Sequence, residues 1–271
     1  MNHPTLQTLK IELDPRGVLF VTLNRPDVRN AFNEVLIAEL GEIFGKDVFK
    51  PEVRAIVLRG EGSVFCAGGD LKWMKQSIEL DYNENLKATR ILSHMFASMN
   101  ECPKPVIGAI HGAAIGGGVG LVSICDIAIA TQDTQFSLSE VRLGIVPACI
   151  GPFVVSKIGA SHARGLFMSA ERFKAQRAKE VGLIHEVVAD QNELNAEVER
   201  VLGNVLECGP NAMAVAKRLV LDLTWPERRA QFPDCLEYVS KTLADIRISP
   251  EGQEGLRAFL EKRKPNWSAS K

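Results

Sequence analysis

A chain of 271 residues with 46% hydrophobic and 24% charged residues has an ordinary globular composition, long enough for one large domain or for a core with an appendage. Its formal net charge of −1 lacks the basic excess typical of proteins that bind nucleic acid or anionic membranes. No charge-free apolar run reaches the roughly 18 residues of a membrane-spanning helix. We therefore expect neither nucleic acid nor a membrane as a partner.

The absence of characteristic motifs excludes several other classes of protein. The six cysteines show no CxxC spacing and are expected to be reduced, and the five histidines show neither HExxH nor a paired spacing, so no metal site is predicted. The serine-hydrolase motif GxSxG and the P-loop motif GxxxxGK[ST] are absent. The first residues, MNHPTLQTLKIELD, have neither a signal-peptide core nor a transit pattern, so a cytoplasmic location is the default expectation.

The first hundred residues predict strands followed by helices. Alternating apolar and polar residues predict two strands, at residues 6–14 and 18–23, joined as a hairpin. Asn30 or Asn33 is expected to cap the helix that follows. A strand at residues 55–58 and a long helix at residues 82–99, ending before a proline, complete this part.

The centre of the chain carries a glycine run between two apolar strands. Residues 106–110 predict a buried strand, His111 and Gly112 a turn, and residues 127–130 a second strand. The glycines at 116–118 open an apolar helix, whose first N–H groups have no partner inside the helix and lie at its positive end. Such a run is either a tight packing turn or a place where the backbone approaches a ligand.

A second turn of small residues favours the ligand interpretation. Ala67, Gly68 and Gly69 follow the strand at residues 55–58 and precede a helix-like segment, within the stretch SVFCAGGDLKWM. Two turns that each offer backbone N–H donors can converge on one oxygen, which is the arrangement of an oxyanion hole. Whether these two turns converge depends on the tertiary fold.

The rest of the chain changes from mixed to helical. Residues 135–137 and 185–188 predict short strands. Helices are predicted at residues 152–158, 161–168, 175–181, 194–206, 211–223, 226–245 and 251–262. Strands interleaved with helices and followed by helices alone predict an α/β core at residues 1–200 and a helical region at residues 201–271.

Three segments identify a family resemblance. FCAGGDL, HGAAIGGGVGLVSICDIAIA and FSLSEVRLGIVPACIGPFVV, in this order, are similar to the signature segments of the enoyl-CoA hydratase/isomerase (crotonase) family, and the likeness extends to FLEKRKPNW near the end. The resemblance implies an α/β fold, a spiral of ββα units with a C-terminal helical trimerisation region. It also implies an acyl-CoA substrate and assembly as a homotrimer or dimer of trimers. Coenzyme A enters as part of the substrate, so no separate cofactor is expected.

The resemblance assigns roles to individual positions. The two oxyanion N–H groups fall on Gly69 and Gly117, where the absence of a side chain leaves the backbone to bind the oxygen. Coenzyme A is placed against Ala67, Gly69, Asp70 and Leu71.

Contacts to the phosphates of coenzyme A are predicted less specifically. Arg25 and Arg29 are basic residues near the start of the chain, and Lys262 lies near its end. For any single one of them, a solvated surface position is the favoured interpretation. Phe259 and Lys262 are the better candidates, because the terminal helix in this family often reaches the coenzyme A of a neighbouring subunit.

The catalytic acids depart from the ordinary hydratase pattern, which has two glutamates. Glu140 matches one of them, whereas the other position is Gly120. We hypothesise that the space left by Gly120 accommodates a branched acyl chain or lets another group position water, and that Ala148, Cys149 and Ile150 reshape the acyl pocket.

Three functions remain open at this point. A single glutamate resembles the Δ3,Δ2-enoyl-CoA isomerases. The surrounding segments are closer to the 3-methylglutaconyl-CoA and isohexenylglutaconyl-CoA hydratases, so we favour an enoyl-CoA hydratase in which Glu140 transfers the proton. A non-catalytic acyl-CoA-binding protein that has kept the fold is the third alternative.

Overall fold

The computed structural model describes residues 6–268 of the chain and divides it into two compact units, Met1–Glu199 and Arg200–Lys271. The strands lie in the first unit: β1 (Leu9–Leu13), β2 (Val18–Leu23), β3 (Ala55–Gly60), β4 (Val106–Ile110), β5 (Ala113–Ile115), β6 (Ile127–Thr131), β7 (Gln135–Ser137), β8 (Phe173–Lys174) and β9 (Glu186–Val188). The helices from the start of the chain are α1 (Glu34–Gly45), α2 (Leu71–Glu79), α3 (Tyr82–Asn100), α4 (Gly117–Ile124), α5 (Gly151–Ser169), α6 (Ala175–Glu180) and α7 (Gln191–Leu206). The second unit continues with α8 (Pro210–Thr224), α9 (Pro226–Arg229), α10 (Cys235–Ile248) and α11 (Pro250–Leu260).

Two sheets organise the first unit. The larger sheet has the order β1-β2-β3-β4-β6-β9, in which β1 and β2 are antiparallel and all other neighbours are parallel. All five residues of β4 are buried, as its uninterrupted apolar sequence requires of a central parallel strand. The smaller sheet has the order β5-β7-β8, with β5 parallel to β7. The sheets place strand ends next to the turns that form the candidate site.

The strand β5 was not predicted from the sequence. It lies between the turn at His111 and Gly112 and the glycine run, and it pairs with β7. Three residues are too few to show a period of two, so the pairing becomes visible only when β7 is brought alongside. The consequence is that a strand, and not a loop, leads into the glycine run.

The predicted helices differ from the observed ones at one proline and at one glycine. Asn33 caps α1 by accepting a hydrogen bond from the Leu36 N–H (2.9 Å), which settles the choice between the two asparagines. The predicted helix at residues 226–245 is two helices, α9 and α10, because Pro233 cannot donate a backbone hydrogen bond. The two helices predicted at residues 152–168 form α5, with a non-helical break at Gly159 (φ 73°).

The second unit has a buried charge network. Asp222 is 2% exposed, and its carboxylate accepts hydrogen bonds from Arg218 (2.9 Å), from Arg228 (3.0 Å) and from the Tyr238 hydroxyl (2.7 Å). Burial acts to raise the pKa of Asp222, but the three donors outweigh it and lower that pKa. The network therefore ties α8 to α9 and α10 through one carboxylate.

Candidate active site

The two small-residue turns predicted from the sequence are in direct contact. Cys66 donates its N–H to the Ala113 carbonyl (3.0 Å) and accepts a hydrogen bond from the Ile115 N–H (3.0 Å). A Cβ atom at Gly118 would lie 2.6 Å from the Cys66 carbonyl oxygen, and one at Gly68 would lie 3.0 Å from the Ile115 carbonyl oxygen. Because these distances leave no room for side chains, the glycines let the two backbones meet.

Within residues 6–268, neither candidate oxyanion amide donates to a backbone carbonyl. Gly117 is the first residue of α4, where an N–H has no acceptor within the helix, and it follows Gly116 in a glycine-specific conformation (φ 51°, ψ −116°). The residues on either side of Gly69 bond to a neighbouring segment, and none of the backbone hydrogen bonds found in residues 6–268 is donated by Gly69 or Gly117. Two unpaired donors on touching turns can serve one carbonyl oxygen.

Glu140 lies beside the glycine run. It begins a short 3₁₀ helix after β7, and the last residue of β7, Ser137, accepts the Gly116 N–H (2.8 Å). Glu140 Oε1 lies 3.0 Å from the point where a Cβ atom at Gly116 would be. The other oxygen, Oε2, is buried and has no hydrogen-bond partner among the described residues. A buried carboxyl oxygen with no partner is typical of a group that engages a ligand.

The environment of Glu140 favours its neutral form. Burial raises the pKa of this carboxyl group, and a hydrogen bond from its own backbone N–H offsets only part of the effect. A carboxyl group whose pKa is shifted towards neutrality exchanges a proton more readily under physiological conditions. The predicted role of Glu140 in proton transfer is consistent with this burial and this direction of the pKa, and it stays a prediction.

The hypothesis that Gly120 leaves space is wrong. A Cβ atom at Gly120 would lie 2.3 Å from Ile150 Cγ2 and 2.9 Å from Phe96 Cε1. Ile150 is 3% exposed and Phe96 is 1% exposed, so both side chains fill this volume completely. Ile150 therefore packs where a side chain at position 120 would begin, so Gly120 leaves no open space there for a branched chain, whereas the positioning of water by another group stays a prediction.

Two of the residues predicted to contact coenzyme A have structural contacts. Ala67 is half-buried and donates its N–H to the Arg29 carbonyl (3.0 Å). Asp70 is 7% exposed and caps α2 by accepting the Lys72 N–H (2.8 Å). Leu71, by contrast, is 82% exposed at the start of α2 and is available to a ligand.

The basic residues are not equivalent. Arg25 donates to Asp70 Oδ2 (2.8 Å) and also to the Ala31 carbonyl, so its guanidinium is engaged inside the protein, whereas Arg29 is exposed. Burial acts to raise the pKa of Asp70, but the hydrogen bonds from Arg25 and from the Lys72 N–H outweigh it and lower that pKa.

The remaining predicted contacts belong to the second unit. Phe259 is 80% exposed, and Lys262 is exposed with a left-handed backbone (φ 56°). Their roles in binding coenzyme A stay predictions.

Asn30, which the sequence offers only as a possible helix cap, holds the segment that leads into the first turn. Asn30 is fully buried in a left-handed conformation (φ 55°), which asparagine tolerates better than most residues. Its side chain accepts the Arg25 N–H (2.8 Å) and donates to the Glu61 and Val64 carbonyls (both 2.9 Å). Nothing local in the sequence indicates these partners, because the Glu61 and Val64 carbonyls lie more than thirty residues away.

Residues 6–268 hold neither a metal-binding cluster nor a membrane-spanning helix. No group of three or more histidine, cysteine, aspartate or glutamate side chains is arranged to hold a metal ion within this range. In the same range no helix combines the length and apolar character needed to cross a bilayer.

Comparisons with known proteins identify the family. The sequence model of the family described as "Enoyl-CoA hydratase/isomerase" matches residues 14–270. The chain is 34% identical over 254 residues to the enoyl-CoA hydratase AKT6-1 of Alternaria alternata, covering 93% of this chain and 81% of that protein. It is 31% identical over 278 residues to the peroxisomal Delta(3,5)-Delta(2,4)-dienoyl-CoA isomerase of Arabidopsis thaliana, covering 98% of both.

A solved structure agrees with these relatives. The crystal structure of an enoyl-CoA hydratase from Shewanella pealeana superimposes with a TM-score of 0.90 at 37% identity, covering 97% of this chain and 96% of that one. The α/β crotonase-like fold expected from the sequence is thereby confirmed. The chain belongs to the enoyl-CoA hydratase/isomerase family.

Proposed function

We propose that this protein is an acyl-CoA hydratase that adds water across the 2,3 double bond of an enoyl-CoA. One observation carries the proposal: the unpartnered buried oxygen of Glu140 lies beside the turn whose amide, together with that of Gly69, is free to bind an oxygen. The thioester carbonyl supplies that oxygen, and its Cα and Cβ atoms supply the site of proton transfer.

One carboxyl group is sufficient for the proposed hydration, because it first accepts a proton and then returns it. The Gly69 and Gly117 N–H groups bind the thioester oxygen, and the Glu140 carboxylate takes one proton from water as the water oxygen bonds to Cβ. The electron pair of the double bond moves to Cα and the carbonyl oxygen as an enolate. Glu140 then returns its proton to Cα, which restores the thioester carbonyl and the free carboxylate. Water thus contributes its hydroxyl to Cβ and its proton to Cα.

The proposed substrate is a branched dicarboxylic enoyl-CoA such as 3-methylglutaconyl-CoA. The support is the similarity of GGGVGLV and SEVRLGIVPA to that hydratase subgroup. The packing of Ile150 against Gly120 also gives this site a different wall from that of a two-glutamate hydratase. No cofactor beyond the coenzyme A of the substrate is required by the reaction.

The proposed assembly is a homotrimer or a dimer of trimers in the cytoplasm. Support for self-association comes from large apolar side chains of the second unit that are more than 70% exposed, namely Leu236, Ile248, Phe259 and Leu260. Surfaces of this kind commonly mark contacts between proteins.

An isomerase that uses the same glutamate is the second candidate. It is favoured by the single carboxyl group at the site and by the similarity to a dienoyl-CoA isomerase. Isomerisation also passes through an enolate, so both reactions use the same amides.

A small panel of acyl-CoA substrates separates the candidates. Incubation with 3-methylglutaconyl-CoA and with crotonyl-CoA should remove the absorbance of the conjugated thioester if the protein is a hydratase. Incubation with a 3-enoyl-CoA should create that absorbance if it is an isomerase, and a binding protein should change neither. Absence of hydration with both conjugated substrates, combined with turnover of the 3-enoyl substrate, would reject the proposal in favour of the isomerase.

The role of Glu140 is tested with the same assay. Glu140→Gln keeps the shape but cannot transfer a proton, and removing a general acid or base typically lowers the rate by about 10²–10⁴-fold. Glu52→Gln, at an exposed position, is the matched control and should retain normal turnover. Near-normal hydration by Glu140→Gln would show that another group moves the proton.

A further inference from the structure

We propose that Phe32 is a positioning residue that holds the Gly69 and Gly117 amides in their mutual orientation. The inference rests on the oxyanion site of the proposed function, but it applies equally to hydration and to isomerisation. Phe32 precedes the cap of α1 and has no polar side-chain atom, so nothing in its chemistry suggests a part in the reaction.

The backbone of Phe32 fixes the first turn. Its N–H donates to the Gly68 carbonyl (2.7 Å), and its carbonyl accepts the Asp70 N–H (2.9 Å). These two hydrogen bonds lie on either side of Gly69, in the pattern of a parallel β-bridge between Phe32 and Gly69. With both neighbouring peptide groups held, the Gly69 N–H points away from Phe32.

The ring of Phe32 packs on the second turn. A Cβ atom at Gly117 would lie 2.9 Å from Phe32 Cε2 and 3.1 Å from Cδ2. The ring thus lies against the backbone of Gly117, in space that any side chain at that position would need. The contact limits how far the first turn of α4 can move towards Phe32.

The ring is itself held in place. Phe32 is 2% exposed, and its ring centroid lies 6.0 Å from that of Phe96, which lies 6.0 Å from that of Phe153. Asn33, the next residue, is fixed by its capping bond to the Leu36 N–H (2.9 Å). A buried aromatic ring with these neighbours has little freedom to change its rotamer.

Phe32 differs from the other residues around the site. Asn30 bonds to the segment before the first turn and Arg25 bonds to Asp70 directly after it. The Phe32 backbone, by contrast, contacts the first turn and its ring contacts the second. Preorganised donors are effective because their orientation is set before charge develops. Loss of the ring should therefore weaken oxyanion binding more than it weakens ground-state binding.

The experiment measures oxyanion binding without turnover. Acetoacetyl-CoA loses an α proton to solvent and forms an enolate with a characteristic absorbance, and donors aimed at its thioester oxygen stabilise this enolate. Butyryl-CoA has no acidic α proton and reports ground-state binding. Both ligands are titrated into the full-length protein and into the variants Phe32→Leu, Gly117→Ala and the double variant.

A matched variant controls for lost core packing. Phe44 is 1% exposed and lies near the far end of α1, roughly 15 Å along the helix from its start. Phe44→Leu removes a similar buried ring without touching either turn. Urea unfolding of each variant verifies that the protein titrated is folded.

The expected result is a selective loss. Phe32→Leu should reduce the affinity for the enolate by about tenfold or more, since small misplacements of catalytic groups have effects of this size or larger. The affinity of Phe32→Leu for butyryl-CoA should change by less than about threefold. Phe44→Leu should leave both affinities unchanged, because its site is distant from the two turns. Gly117→Ala should also lose enolate affinity, and Phe32→Leu should relieve part of that loss in the double variant because the added methyl group no longer meets the ring.

Three outcomes would overturn the inference. Equal losses for both ligands would show that Phe32 has only a packing role, and a wild-type protein that does not stabilise the enolate would show that no oxyanion site exists. If Phe32→Leu does not fold, unchanged enolate binding by Gly117→Ala would show that the ring does not restrain the second amide. A failed hydration assay alone leaves these titrations valid, and then only the proposed function is rejected.

Discussion

The Glu140 carboxyl group lies directly against the backbone of Gly116, with Oε1 3.0 Å from the position of a Cβ atom at that glycine. Gly116 precedes the candidate oxyanion residue Gly117, so the Glu140 carboxyl group lies one residue away from a candidate N–H donor. The glycine at this position permits the approach, and the burial that results raises the pKa of the carboxyl group.

That burial predicts a pH-dependent gain of stability for Glu140→Gln. Because the folded-state pKa is raised, the contribution of Glu140 to stability is fully present below its ordinary pKa of 4.5 and is lost as the pH rises through the folded-state pKa. Glutamine does not ionise and has no such loss. The free energy of unfolding of the variant, minus that of the wild type, should therefore be larger at about pH 8 than at about pH 5.

Urea unfolding at the two pH values provides the measurement. Glu52→Gln, at an exposed site, is the control for the substitution of a glutamate by glutamine. A constant difference for Glu140→Gln would mean that the carboxyl group ionises as freely in the folded protein as in the unfolded one.

Two glycines in helices should respond oppositely to alanine. A Cβ atom at Gly120 in α4 would lie 2.3 Å from Ile150 Cγ2, so Gly120→Ala should lower the free energy of unfolding by about 1–3 kcal/mol, as overpacking does. Gly41 in α1 has no atom within 4 Å of its Cβ position, so Gly41→Ala should raise the free energy of unfolding by about 0.5–1 kcal/mol. Chemical denaturation of both variants distinguishes the two effects.

The packing at Gly120 is tested further by relieving it. Ile150→Ala removes the methyl groups that an alanine at 120 would meet, so the double variant should lose less stability than the two single changes added together. Additive losses would show that Ile150 is not the obstruction. Replacement of Gly120 by glutamate alone meets the same obstruction, so this change should not by itself create a two-carboxylate hydratase.

The ion pair under the first turn should not tolerate lysine. The Arg25 and Asp70 side chains are 17% and 8% exposed. Arg25 donates hydrogen bonds to two acceptors, the Asp70 carboxylate and the Ala31 carbonyl. A lysine ammonium cannot reproduce the planar guanidinium that reaches both acceptors, so Arg25→Lys should lower the free energy of unfolding by about 1–3 kcal/mol. Arg29→Lys, at an exposed arginine of the same segment, should change it by less than about 0.5 kcal/mol.

The pH dependence of this pair has the opposite sign to that of Glu140. The folded-state pKa of Asp70 is lowered, so its contribution to stability is present above the ordinary aspartate pKa of 3.8 and is lost as the pH falls through the lower folded-state value. The stability difference between Arg25→Lys and the wild type should shrink in acid. An equal difference at neutral and acid pH would show that the loss is due to packing alone.

The carboxylate network of the second unit should be essential to its stability. Asp222 is 2% exposed and accepts hydrogen bonds from two arginines and a tyrosine, so Asp222→Ala removes the buried acceptor that joins α8 to α9 and α10. Removal of one member of such a network costs about 3–5 kcal/mol. Asp245→Ala, at an exposed position of α10, should change the free energy of unfolding by less than about 0.5 kcal/mol in the same urea titration. Similar effects of the two changes would contradict the structural role of Asp222.

Several features of the fold are local, and the sequence predicts them well. The central strand β4 and the helix α4 are marked by apolar runs and glycines next to one another in the chain. The bounds of β4 agree with prediction, and α4 begins within the predicted glycine run. The break between α9 and α10 at Pro233 was missed because the apolar pattern continues across the proline. The short strand β5 was missed because its evidence lies in its partner, β7.

The sequence by itself determined which chemical groups this protein has. It has two glycine turns, a glutamate at position 140 and a glycine, without a carboxylate, at position 120. Residue identity and local spacing are sufficient for such statements. Only the tertiary structure decided that the glycine turns touch, that Glu140 packs on Gly116 and that Ile150 fills the volume beside Gly120. These contacts join residues that are distant in the chain, and they follow from strand order and close packing, which no local pattern encodes.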